Sequence, residues 1–236
     1  MGGDLNGMAS LLVLADGRFP SGGHAHSGGV EAAVADGRLQ EPHDLHAFLV
    51  GRLHTAGAVA AALAAASCGL ARCGGDPAAH AGGWCALDAE ADARITAPAL
   101  RATSRRQGRQ LLRAGRAVWP CDSLDGLVAA VPAGAHHPVA LGAVASAGGM
   151  APNEAAMAAT YDSVCGPAMA AVRLLGLDPF TVHSLLADLA PAMEAVAAEA
   201  TCRAEGPLDE LPAVAAPLLD ISAEIHAISE ARLFAS

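Results

Sequence analysis

Residues Leu53 to Ala71 read L-H-T-A-G-A-V-A-A-A-L-A-A-A-S-C-G-L-A, a stretch without a formal charge. Alanine, the strongest helix former, dominates it, and β-branched residues are nearly absent. The stretch is long enough to span a bilayer. Its alanine content, the polar His54, Thr55 and Ser67 inside it, and one arginine on each flank read instead as a buried core helix. The rest of the chain has the same character. Hydrophobic residues make up 53% and aromatics only 3%, so the apolar fraction is largely alanine and the expectation is an all-α protein.

At 236 residues the chain buries a sizeable core without staples. The formal charge of −10 argues against a nucleic-acid partner, which requires a basic surface. All 14 basic residues are arginine. Without lysine there is no Walker-type phosphate loop, no Schiff base and no kinase lysine. The six cysteines form no C-x-x-C pair or zinc framework, and they read as reduced thiols. Asp4 near the N-terminus, and an apolar stretch Met8–Ala15 that ends without a cleavage site, argue against a signal peptide. A cytoplasmic protein with no membrane contact is expected.

Working outward, Leu5 to Ala15 reads as a first helix, stopped by Gly17 and Pro20. Ser27 is placed to cap a second helix with Glu31 in its first turn. Pro42 opens the long helix that contains the alanine stretch, with Leu45, Phe48, Leu49 and Leu53 on one face. Further helices are expected over Ala78–Arg94, Ala97–Arg116, Leu124–Val131 and Val139–Ala147. From Pro152, Met157, Tyr161, Val164, Ala168, Val172 and Leu175 keep a 3-4 spacing, with Pro167 as an internal kink. Val182, Leu185, Leu186, Leu189, Met193 and Val196 repeat the spacing in the following helix, and a last helix lies between Pro217 and Ser229. Residues 1–236 thus read as a single domain, an irregular bundle of about ten helices.

Few residues offer chemistry. Pro20-Ser21-Gly22-Gly23-His24-Ala25-His26-Ser27-Gly28-Gly29 is a glycine-built turn with two histidines. His24 and His26 are a weak metal pair, without a local carboxylate or thiol to complete a site. A metal-dependent hydrolase using them, with His136 or His137, is one reading; an unrelated helical scaffold is another. Arg101, Arg105, Arg109, Arg113 and Arg116 share a helix ridge with Arg106 beside it, either a solvated face or a docking strip for acidic surfaces. Ser104, Gly108, Leu111 and Gly115 on the adjoining face permit close helix packing. No acid–base pair with a nucleophile can be assembled, and the cysteines sit in alanine-rich surroundings that raise their pKa.

Five ordered stretches resemble the UreF family of urease accessory proteins. They are Leu11–Glu31, ending F-P-S-G-G-H-A-H-S-G-G-V-E; Ser104–Leu112; His137–Gly142; Ala170–Leu174; and Ile225-His226 with the terminal Arg232–Ser236. The resemblance implies an all-α homodimer that bridges the GTPase UreG and UreD, also called UreH. Through them it acts on the urease apoprotein, in GTP-dependent installation of nickel. It implies no catalytic residues and no cofactor of its own. Carried onto this chain, partner contacts are expected at Pro20, Gly22, Gly23, His24, His26, Ser27, Gly28 and Glu31, at Arg105 and Arg109, and at Arg232, Leu233, Phe234 and Ser236. The resemblance links Glu31 to control of the GTPase and the C-terminal end to the UreD-type partner. The chain departs from the family pattern at Gly176–Pro179, at Ala227 after His226, and at Ala235.

Overall fold

A computed structural model of the chain describes residues 4–21, 26–73 and 77–228. The α-helical segments are α1 (Asp4–Ala15), α2 (Val30–Ala35), α3 (Pro42–Arg52), α4 (Ala58–Arg72), α5 (Pro77–Arg94), α6 (Pro98–Val118), α7 (Asp122–Ala130), α8 (His137–Ala147), α9 (Pro152–Leu175), α10 (Pro179–Asp188), α11 (Ala190–Ala204) and α12 (Pro217–Ile228). No strand occurs among the described residues. A π-turn, Leu53–Gly57, joins α3 to α4 without a break. Pro42–Arg72 is therefore one rod of 31 residues, and the described residues form eleven rods, close to the number expected.

That long rod is the core. Its second half, α4, packs against α5, α8, α9 and α11. Val59 and every residue from Ala61 to Cys68 are buried in the protein, so its apolar surface is spent on helix packing. Alanine and glycine set the spacing. A Cβ on Gly142 of α8 would collide with the Ala64 carbonyl oxygen, and one on Gly108 of α6 with that of Ala135. At both glycines a neighbouring backbone leaves no room for a side chain, and the small-residue face of α6 does pack on α8.

Two apolar clusters result. One gathers Leu63, Trp84, Leu111, Leu124, Val139 and Met150; the other Val30, Leu45, Leu49, Leu53 and Val182. Helix α9 serves both, giving Ala155 to Ala159 to the first and Val164 to Ala171 to the second. Of the expected stripe, Val182, Leu186, Leu189, Met193 and Val196 are buried, as their spacing predicts, and Leu185 is half-buried. They do not lie on one helix, however. The chain breaks at Leu189, and Pro191, which has no N–H to donate, sits in the first turn of α11.

Candidate functional site

The seam between the two clusters is occupied by Arg52, at the point where α3 passes into the π-turn. Pro167 continues α9 but has no N–H, which leaves the carbonyl of Ser163, four residues earlier, without its helical donor. Arg52 supplies it: Nε–H donates to the Ser163 oxygen at 2.9 Å. On the other side the guanidinium meets Gly28, whose φ is +60°; a Cβ there would stand 2.8 Å from Pro167 Cγ and 3.4 Å from Arg52 Cζ. Glycine at 28 thus answers two demands, a left-handed backbone and a close approach. Burial lowers the Arg52 pKa from the usual arginine value, and the charge of Asp162 partly restores it. A cavity of about 220 Å³ opens against this arginine, walled by the 26–29 loop, the start of α4, α6 and α12.

The loop does not open α2 in the expected way. Gly29, in the left-handed region at φ +94°, is the N-cap, and among the described residues no side chain caps the helix. Ser27 contributes its carbonyl to Val30 N–H at 3.2 Å, while its Oγ is buried with no hydrogen-bond partner among the described residues. This corrects the reading of Ser27 as the cap. His26 and Ser27 are both buried and Pro20 is exposed; Gly22, Gly23 and His24 lie outside the described residues. Glu31, in the first turn of α2, faces α12, with Oε2 at 3.5 Å from His226 Nε2. Ser222, Ala223 and His226 turn α12 inward, and Arg38 donates to Ser222 Oγ at 2.8 Å. Its opposite face is exposed and aliphatic: Leu218 (64%), Ile221 (57%), Ile225 (56%) and Ile228 (84%).

The family model described as UreF matches residues 39–190. A urease accessory protein UreF of Mycolicibacterium vanbaalenii is 46% identical over 232 residues, covering 98% of this chain and all of that one. The chain is also similar to proteins of the same name from Mycobacterium marinum (42% identical; 97% and 99% covered) and Mycobacterium tuberculosis (38%; 94% and 95%).

The chain belongs to the UreF family of urease accessory proteins.

Its role is accordingly accessory, in urease maturation, and not that of a catalytic enzyme. The remaining residues of interest in this UreF-family chain divide by where their side chains go. Arg105 turns inward. Nη1 donates to Asp88 Oδ2 (2.9 Å) and to the Gly134 oxygen (2.7 Å), and Nη2 to Asp92 Oδ1 (2.9 Å). Arg101 likewise donates to the carbonyls of Ile95 and Thr96. Arg109 is exposed, with one bond to the Ala133 oxygen at 2.8 Å. The arginine ridge is therefore not one uniform strip. Arg232, Leu233, Phe234 and Ser236 lie outside the described residues.

The histidines also separate. His136 caps α8 and is fully buried; its N–H donates to Asp88 Oδ1 at 2.9 Å, and its Nε2 lies 3.0 Å from Asp92 Oδ1. His137, half-buried, has Nδ1 at 3.9 Å from Asp162 Oδ2. Among the described residues no three His, Cys, Asp or Glu side chains gather as a metal site. Burial pushes the Cys68 thiol up to about 12, so it is inert. The Asp88–Asp92–His136 group was missed by sequence reasoning. The one available signal was a pair of aspartates four apart on α5, which share a face.

This group makes stability pH-dependent. Burial lowers the pKa of His136, and the bond to His136 lowers that of Asp92. A depressed histidine means that the unfolded chain takes up a proton the folded one refuses, so stability falls as pH drops below about 6.5. Asp92 has the same sign in a lower window: its contribution is present above about 3.9 and lost below it. Thermal melts from pH 8 to 5 should show a declining midpoint, and His136→Asn should flatten that limb. A wild-type midpoint that rises on acidification would contradict the assignment.

Proposed function

We propose that the protein is the adaptor of a urease-maturation complex. As a cytoplasmic homodimer it bridges the GTPase UreG and the urease-contacting protein UreD, and takes part in GTP-dependent delivery of nickel to the urease active site. Nickel is the cargo here. The observation that carries this reading is the likeness, over nearly the full chain, to proteins named urease accessory protein UreF. The composition supports it: a chain with no lysine has no phosphate-loop lysine, so the nucleotide chemistry falls to a partner. The exposed aliphatic face of α12 suits a docked protein, since a row of large apolar side chains in water marks an interaction surface. Deleting the gene in its native host should abolish urease activity at ordinary nickel. Intact activity would overturn the reading.

Glu31 is the sharper test. Its carboxylate packs between α2 and α12 against His226, so it is placed to couple the glycine loop to the last helix. Glu31→Ala is expected to keep the helical circular dichroism of the wild type and to lower urease activation several-fold. Full activation by this variant at wild-type expression would remove Glu31 from the mechanism.

A further inference from the structure

The adaptor reading makes no use of the cavity beside Arg52, yet its wall carries hydrogen-bonding capacity that the described residues leave unmet. Arg52 spends Nε–H on Ser163, and no other acceptor engages its guanidinium among the described residues. Ser27 is 1% exposed, and its Oγ is buried with no partner there. Buried hydroxyls are normally paired, because leaving one unpaired costs its full desolvation. A part-buried guanidinium with unused N–H groups and an orphaned hydroxyl, on two residues that line one cavity, are two independent signs of a missing acceptor.

The rest of the wall narrows what that acceptor is. Arg94, the other arginine lining the cavity, is occupied by Glu90 and the carbonyls of Leu208, Asp209, Leu211 and Pro212. Asp220 lines the same cavity, and Asp162 acts on Arg52 from the adjoining one. Among the described residues on this wall, which also carries His26, His137 and His226, Arg52 is the guanidinium with N–H groups to spare; one unsaturated guanidinium near two carboxylates suits a single negative charge, not a dianion. Ala56, Val59, Ala60 and Leu63 make the adjacent wall apolar. The volume of about 220 Å³ is below the roughly 300–1,000 Å³ of pockets that take drug-sized ligands.

We infer that this cavity binds a carboxylate on a short aliphatic stem, held by the Arg52 guanidinium and the Ser27 hydroxyl. The planar fork of arginine matches the two oxygens of a carboxylate, and Ser27 adds a donor. A free short-chain acid and an aspartate or glutamate side chain of a bound protein present the same atoms.

Calorimetric titration of the full-length protein with butyrate tests this. Wild type is expected to bind saturably, Ser27→Ala about tenfold more weakly, and Arg52→Lys not measurably, because an ammonium cannot offer the fork. Ser27→Ala has a second readout of opposite sign. Without ligand it should melt higher than wild type, since it no longer buries a hydroxyl without a partner. Should Arg52→Lys fail to fold, the paired Ser27 readouts decide the matter alone. Inorganic phosphate, run alongside, is expected not to saturate. No butyrate binding, binding indifferent to Ser27→Ala, or phosphate binding tighter than butyrate each overturns the proposal. Repeating the titration on the complex with UreD identifies the source. Loss of the butyrate signal means that a partner side chain fills the cavity, and retention means a free acid. That last arm rests on the adaptor reading; the binding test does not.

Discussion

Arg105→Ala is expected to destabilise the protein by about 3–5 kcal/mol, the cost of leaving a buried carboxylate without its cation. The carboxylate is that of Asp88, whose side chain is 8% exposed and whose remaining bond is to the His136 N–H. Through Asp88, Asp92 and Gly134, Arg105 ties α5 and α6 to the turn that leads into α8, so its loss loosens three elements together. Such a cost is a large share of the 5–15 kcal/mol that typically separates folded from unfolded chains. In a chain of this size it lowers the melting temperature by about 10 °C. Arg105→Lys should recover only part, since one ammonium does not span three acceptors as a fork does. Arg109→Ala is the control. Exposed and bonded to one carbonyl, it should move the midpoint little. An Arg105→Ala protein that melts like wild type but loses its partners would restore Arg105 to a docking strip.

The same residue shows where sequence reading stopped. A ridge of arginines three and four apart is visible in the chain, but the helix carries Arg101 and Arg105 to carbonyls and carboxylates, and Arg109, Arg113 and Arg116 to the exposed side, where Arg109 still reaches the Ala133 carbonyl and Arg116 meets Asp125. Periodicity fixes which residues share a ridge; only packing decides which end of the ridge is covered. The core was legible for a different reason. Alanine at this density has one good conformation, and a helix with alanine all round has to be buried, so Val59–Cys68 was readable as core. The site was not legible, because its parts are failures of regular structure. Pro167 frees one carbonyl, a π-turn follows Arg52, and Gly28 folds left-handed over the guanidinium. Each is visible singly as a glycine, a proline or an arginine. Their meeting depends on residues more than a hundred positions apart. The expected Ser27 cap failed similarly: with Gly28 and Gly29 both at positive φ, the loop enters α2 from an angle at which Gly29 takes the cap position.

The aliphatic face of α12 yields the prediction with the largest functional effect. Leu218, Ile221, Ile225 and Ile228 recur at intervals of three and four, which places them along one line on the side opposite Ser222, Ala223 and His226. Helices bound in a groove anchor through this pattern. Because these side chains are exposed, Ile221→Asp with Ile225→Asp should leave the melting temperature within about 2 °C of wild type. At an interface the same pair removes two apolar anchors and puts two charges where water is excluded. At about 2 kcal/mol or more for each anchor, the affinity falls roughly a thousandfold, enough to abolish co-purification with the proposed partner UreD and, with it, urease activation. Size measurement of the variant separates the occupants. A dimer that no longer binds UreD assigns the face to that partner, whereas a monomer assigns it to a second copy of the chain. Wild-type activation by the double variant would show that α12 presents its isoleucines to solvent alone.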